Sequence, residues 1–191
     1  MESLFARLLV FPVLLLAVLA AFAGTNDKEP APRFHAKTMG GQIFTNESVK
    51  GKVLLFEFWT TWCPYCKGEE AFVDQIAADF KDKGLIVLAV NVGESKKTVK
   101  KYLEQHPRTT PIVLMEDTNL AAMYQATVYP IYVLVDRDGF IVETQRGAAG
   151  ETRLRRMLAR AGIGTDSVRE NYRGPLRPSA SAHLPGAICG K

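Results

Sequence analysis

The stretch FWTTWCPYCKGEE, Phe58 to Glu70, sets two cysteines two residues apart, after an apolar run and before a helical pattern. Upstream, VLLFEFW (Val53 to Trp59) is apolar, β-branched and aromatic over the length of a strand and is broken only by Glu57, as in a central strand buried on both faces. Downstream, Phe72, Ile76, Ala77 and Phe80 recur at helical spacing from Pro64 to about Lys83, and Gly84 closes the pattern at the C-terminal cap. A strand running straight into a helix puts Cys63 at the N-cap and Cys66 one turn in. Pro64 suits the first helical position, where a missing N–H costs nothing. Free backbone N–H groups and the positive helix end should then lower the pKa of an exposed Cys63, while Cys66 is partly buried. One thiolate attacks a disulfide and the second displaces the mixed disulfide, so this spacing suits exchange chemistry.

Two other readings of the pair are a metal site and a structural staple. Cys-x-x-Cys can supply two thiolates to zinc or copper, but His35, His106 and His183 are scattered and there is no second cysteine pair, so no metal is expected. A disulfide across so short a loop constrains little of the unfolded chain, which makes a staple a poor reason for it. The third cysteine, Cys189, is read as incidental, with a resolving thiol or a partner-linking thiol as its alternatives.

Outward from the motif, FHAKTMGGQIF predicts an N-terminal hairpin around Gly40-Gly41. LIVLAVNV is a second buried strand, and Ser95 caps a helix whose buried stripe is Val99, Tyr102 and Leu103. PIVLM is a strand, DTNLAAMYQA a short helix, PIYVLVD a strand, RDG a turn, FIVETQ a hairpin partner and GETRLRRMLARAG an amphipathic helix. Strands alternating with helices imply an α/β sandwich with a mixed sheet covered on both faces.

Residues 1–23 read as an export signal or an N-terminal membrane anchor, because Leu8 to Ala23 is uncharged and apolar, ends in small-x-small Ala21-Phe22-Ala23, and is somewhat short of the roughly 20 residues of a span. Residues 24–32 are a polar, proline-bearing linker, 33–163 the folded domain, and 164–191 a tail rich in Pro, Gly, Ser and Ala that is expected to be disordered. The net charge of +4 is concentrated in residues 151–191, where eight Lys/Arg face three Asp/Glu. Those charges lack the density and aromatic interleaving of a nucleic-acid surface, so no nucleic-acid partner is expected.

FEFWTTWCPYC, the strand-turn-strand YPIYVLVDRDGFIV and the strand-helix-strand between them resemble the thioredoxin superfamily, and within it the exported TlpA/ResA-like thiol-disulfide oxidoreductases. The resemblance covers about residues 33 to 162 and implies a thioredoxin-like fold with an N-terminal β-hairpin and an inserted strand-helix element. It implies Cys63 as nucleophile, Cys66 as resolving thiol and Trp62 as the flanking aromatic. Pro64 and Tyr65 look like the intervening pair of glutaredoxins, a departure that bears on the redox potential. Pro130 matches the family's cis-proline, which exposes the backbone of Tyr129 so that a substrate strand can pair with it. Glu57 matches a buried acid; burial without a partner would raise its pKa and suit it to take the Cys66 proton. Glu69 matches a glutamate near the active site and is a candidate modulator, with an ordinary surface position as the alternative. Ala71 stands where the subfamily has a helix-kinking proline.

What the resemblance implies is an extracytoplasmic, periplasmic enzyme that reduces protein disulfides, in cytochrome c maturation among other settings, recharged by a membrane electron donor and using no cofactor. The same dithiol run as an oxidant or isomerase is the alternative.

Overall fold

The computed structural model describes residues 28–164 together with Cys189 and Gly190. The signal or anchor segment expected over 1–23 lies outside the described residues, as do 24–27, 165–188 and 191. Among the described residues no helix is long and apolar enough to cross a membrane.

Seven strands form one mixed sheet. They are β1 (His35–Thr38), β2 (Ile43–Thr45), β3 (Val53–Trp59), β4 (Leu85–Asn91), β5 (Ile112–Thr118), β7 (Ile131–Val135) and β8 (Ile141–Arg146), in the order β2-β1-β5-β4-β3-β7-β8. The central pair β3 and β4 runs parallel, β5 continues the parallel run beside β4, and β7 and β8 add antiparallel on the other side. The N-terminal hairpin forms as expected, β1 against β2, and then extends the sheet by pairing with β5. Every residue of β3 is buried, which places its C-terminal end, and the cysteine motif that follows, at the middle of the sheet.

Four helices cover the sheet: α1 (Pro64–Phe80), α2 (Lys96–Gln105), α3 (Leu120–Met123) and α4 (Glu151–Arg160). Side chains alternate along β3, so Val53 and Leu55 pack with Val73, Ile76 and Phe80 of α1 and with Leu154, Met157 and Leu158 of α4. Leu54, Phe56 and Phe58 point the other way, into a cluster with Val99 of α2 and Leu120 and Ala121 of α3. Each such burial contributes about 1.5–3 kcal/mol against leaving the side chain in water. Phe34 packs edge-on to Phe56 at 5.3 Å, which fastens the segment leading into the hairpin to the core.

Several local expectations shift. The buried stripe of α1 runs through Cys66, Glu69, Glu70, Val73, Ile76 and Phe80, whereas Phe72 and Ala77 are only half-buried. Three acids of this helix, Glu69, Glu70 and Asp74, find hydrogen-bond partners across the fold, and that explains how the stripe can include carboxylates. Gly84 does cap, at φ +86°, but it closes a short 3-10 turn (Lys81–Lys83) after α1. The last linker residues are paired: Ala31 N donates to Gly139 O at 2.8 Å and Ile141 N to Glu29 O at 2.8 Å.

The end of the chain departs most. Val128–Tyr129 forms a short strand, β6, outside the main sheet, and Cys189–Gly190 forms β9, antiparallel to it, with Tyr129 opposite Cys189 and Val128 opposite Gly190. Where the composition of the tail suggested no order, its end is strand-paired.

Candidate active site

Cys63 is the N-cap of α1, in extended conformation (φ −80°, ψ 112°), with Pro64 next as expected. Its Sγ accepts a hydrogen bond from Cys66 N at 3.2 Å, one of the donors that the first helical turn leaves unpaired. On its other side the Cys63 thiol meets the carbonyl oxygen of Tyr129 at 3.7 Å. The Tyr129-Pro130 peptide bond is cis. Trp62 stacks edge-on to Tyr129 at 5.9 Å, and Trp62 and Tyr65, each 42% exposed, rise beside the exposed Pro64. The structure thus brings Trp62, Cys63, Tyr129 and Pro130 together from two loops 66 residues apart. Cys63 corrects one expectation: it is fully buried, at 0% exposure, rather than open to solvent. Both cysteines are free thiols.

Cys66 is buried as well. Burial pushes its thiol far above the ordinary cysteine range, and the hydrogen bond with Cys63 adds to the shift. A thiol held this strongly protonated needs a base before it can act as a nucleophile. Glu57 is on the α1 side of β3 by strand alternation, fully buried, and its charge contributes to the shift of Cys66. Burial raises the Glu57 carboxyl above its ordinary value, as expected, but not for want of a partner. Arg108 Nη2 donates to Glu57 Oε2 at 2.8 Å, and Arg108 Nε donates to Asp74 Oδ1 at 3.0 Å. The guanidinium moderates the rise without cancelling it, because it is shared with Asp74 and because Glu57 Oε1 has no hydrogen-bond partner among the described residues.

Glu69 is buried, not on the surface, and it accepts from Tyr132 Oη at 2.7 Å, Ala149 N at 3.2 Å and Gly150 N at 2.6 Å. Gly150 is the N-cap of α4 at φ +72°, a conformation that suits glycine. Glu69 therefore holds the entry to α4 and the Tyr132 hydroxyl of β7, and none of its described hydrogen bonds goes to the dithiol.

Three contacts near the motif carry no local signal in the sequence. Glu94 accepts from Thr61 N at 2.7 Å, Thr61 Oγ1 at 2.6 Å and Asn91 Nδ2 at 2.8 Å, clamping the loop before Cys63 to the end of β4. Tyr102 donates to Glu70 at 2.6 Å and ties α2 to α1. Arg108, between α2 and β5, joins Glu57 to Asp74. Lone charges in loops look like solvated ones, and only the sign of Glu57 hinted that a cation must reach β3. Among the described residues no three His, Cys, Asp or Glu side chains are grouped to hold a metal ion.

The sequence pattern of the AhpC/TSA family matches residues 28–144, more than half of the chain. The chain belongs to the AhpC/TSA family. Among curated relatives, the thiol-disulfide oxidoreductase ResA of Bacillus subtilis (strain 168) is 30% identical over 138 residues, spanning 72% of this chain and 77% of that protein. Among solved structures, StoA from Bacillus subtilis is similar with a TM-score of 0.59 at 25% identity, over 66% of this chain and 96% of that one. MTB dsbF is similar with a TM-score of 0.60 at 26% identity, over 69% and 98%. This AhpC/TSA member is a ResA-like protein of the thioredoxin superfamily and a thiol-disulfide oxidoreductase.

Proposed function

We propose that the Cys63-Pro64-Tyr65-Cys66 dithiol reduces disulfides of exported proteins outside the cytoplasm, with apocytochrome c within its substrate class, and is recharged by a membrane electron donor. The observation that supports it best is the position of Cys63 Sγ between the helix N-terminus and the Tyr129 carbonyl. A substrate strand lying along Tyr129 would bring its disulfide to that sulfur. The Cys63 thiolate attacks one sulfur of the substrate disulfide; the substrate S–S bond breaks, a Cys63-substrate bond forms, and the other substrate sulfur leaves as a thiolate and takes up a proton.

Resolution needs a second thiolate. Cys66 gives its proton to Glu57, attacks Cys63 Sγ, and the first substrate sulfur leaves as a thiolate and takes up a proton from water, to which Glu57 then returns its own; the substrate gains two electrons and two protons, and the protein is left with a Cys63-Cys66 disulfide. Buried in the same neighbourhood, Glu57 has one oxygen without a partner for that proton. Export rests on the apolar segment ending at Ala23, which leaves either a cleaved signal or a membrane tether.

Single-turnover reduction of a protein disulfide tests this reading. Cys63→Ser should abolish it, while Cys66→Ser should accumulate a covalent enzyme-substrate species through Cys63. Retained turnover in Cys63→Ser would contradict the assignment.

A further inference from the structure

Tyr129 is engaged from two sides. Its carbonyl oxygen meets the Cys63 thiol at 3.7 Å, and its strand, β6, pairs antiparallel with the end of the chain, β9, so that Cys189 stands opposite Tyr129 itself. β6 lies outside the seven-stranded sheet, and β9 is the strand paired with it. Adding an extended segment to such an edge is how this kind of surface takes a peptide. Directly opposed residues in an antiparallel pair have Cα atoms about 4.5–5.5 Å apart. A cysteine in register with Tyr129 is thus one strand spacing from the residue that touches the attacking sulfur. A second observation points the same way: Cys63, which must meet a foreign disulfide, has no solvent exposure.

We propose that β9 is a built-in occupant of the substrate edge and that Cys189 is a third redox thiol, exchanging with the Cys63-Cys66 couple. This rests on Cys63 being the attacking thiol. With the couple oxidised, the Cys189 thiolate attacks Cys63 Sγ; the Cys63-Cys66 bond breaks, a Cys63-Cys189 bond forms, and Cys66 leaves as a thiolate and takes up the proton that Cys189 gave up. Attack by Cys66 on Cys63 reverses the step, and no electrons enter or leave the protein. A pairing of two residues on each strand is short, so a protein substrate can displace it, yet its covalent attachment keeps the tail at high local concentration. The tail therefore lowers the apparent affinity of every substrate by the same factor, the fraction of molecules whose edge is open.

Full-length Cys66→Ser protein equilibrated with a mixture of oxidised and reduced glutathione tests the covalent step, read by mass spectrometry of proteolytic peptides. The expected result is a monomer with peptides linked through Cys63 and Cys189. Separate glutathione adducts on the two cysteines, or a Cys189-linked dimer, would overturn the proposal. Absence of any adduct on Cys63 would instead overturn its role as the nucleophile. Truncation after residue 188 tests occupancy: alkylation of Cys63 by iodoacetamide should speed up several-fold and KM for a protein disulfide should fall with kcat little changed. Unchanged alkylation and unchanged KM would contradict a tail that covers the site.

Discussion

In the proposed mechanism two residues, Glu57 and Arg108, decide how the buried thiol is served. Because burial raises the Glu57 carboxyl above its ordinary value of 4.5, the group accepts a proton at a higher pH than a surface glutamate does. Below that raised value Glu57 is already protonated and cannot relieve Cys66, so the resolving rate should fall as pH drops through it. Glu57→Gln should slow release of the mixed disulfide by about 10²-fold or more at neutral pH, the scale of a lost general base, and flatten that pH limb. Stopped-flow release measured across pH checks both. Arg108 acts through Glu57: Arg108→Gln should move the limb to higher pH, since less positive charge then opposes the rise, whereas a merely structural role would leave the midpoint in place. In stability the sign for Glu57 is that of a raised acid. Its contribution is fully present below the unfolded value and is lost as pH rises through the folded one. Glu57 was legible as a buried acid because it interrupts an apolar strand. Arg108 was not, since its partners lie 34 and 51 residues away and no local pattern encodes that distance.

At the scale of elements, α1 is held by carboxylates that reach off it. Asp74 accepts from Thr109 N, from the N–H and hydroxyl of Thr110, and from Arg108 Nε, and so joins α1 to the segment before β5. Burial works against its charge, and the Thr110 hydroxyl and Arg108 more than offset it, leaving Asp74 below its ordinary 3.8. The stability this gives is present above the unfolded value and lost as pH falls through the folded one. Asp74→Asn should therefore cost about 2–3 kcal/mol in urea unfolding at neutral pH, and the loss should shrink in acid. Glu69→Ala should cost about 2–4 kcal/mol, because buried Tyr132 and two N–H groups at the start of α4 lose their acceptor. Local chemistry made some elements readable: Ser95 caps α2 through Thr98 N at 3.2 Å as its side chain predicts. The stripe of α1 is not legible locally, because Glu69 and Glu70 look like solvent-facing residues until their partners on other elements are in place.

For the whole molecule, the order of strands and helices was legible because central strands are continuous apolar runs and helices are not. How the chain's end returns to the active site was not, since composition alone reads residues 164–191 as lacking a core. A third thiol exchanging with Cys63 would let the protein hold its disulfide in two places, with no change in its electron count. A reductase should hold the Cys63-Cys66 couple at a low reduction potential, measured in the protein carrying Cys189→Ser and equilibrated against defined thiol buffers. A potential near roughly −270 mV, that of thioredoxin, is the predicted result. One well above about −180 mV would contradict it and make the dithiol an oxidant or isomerase.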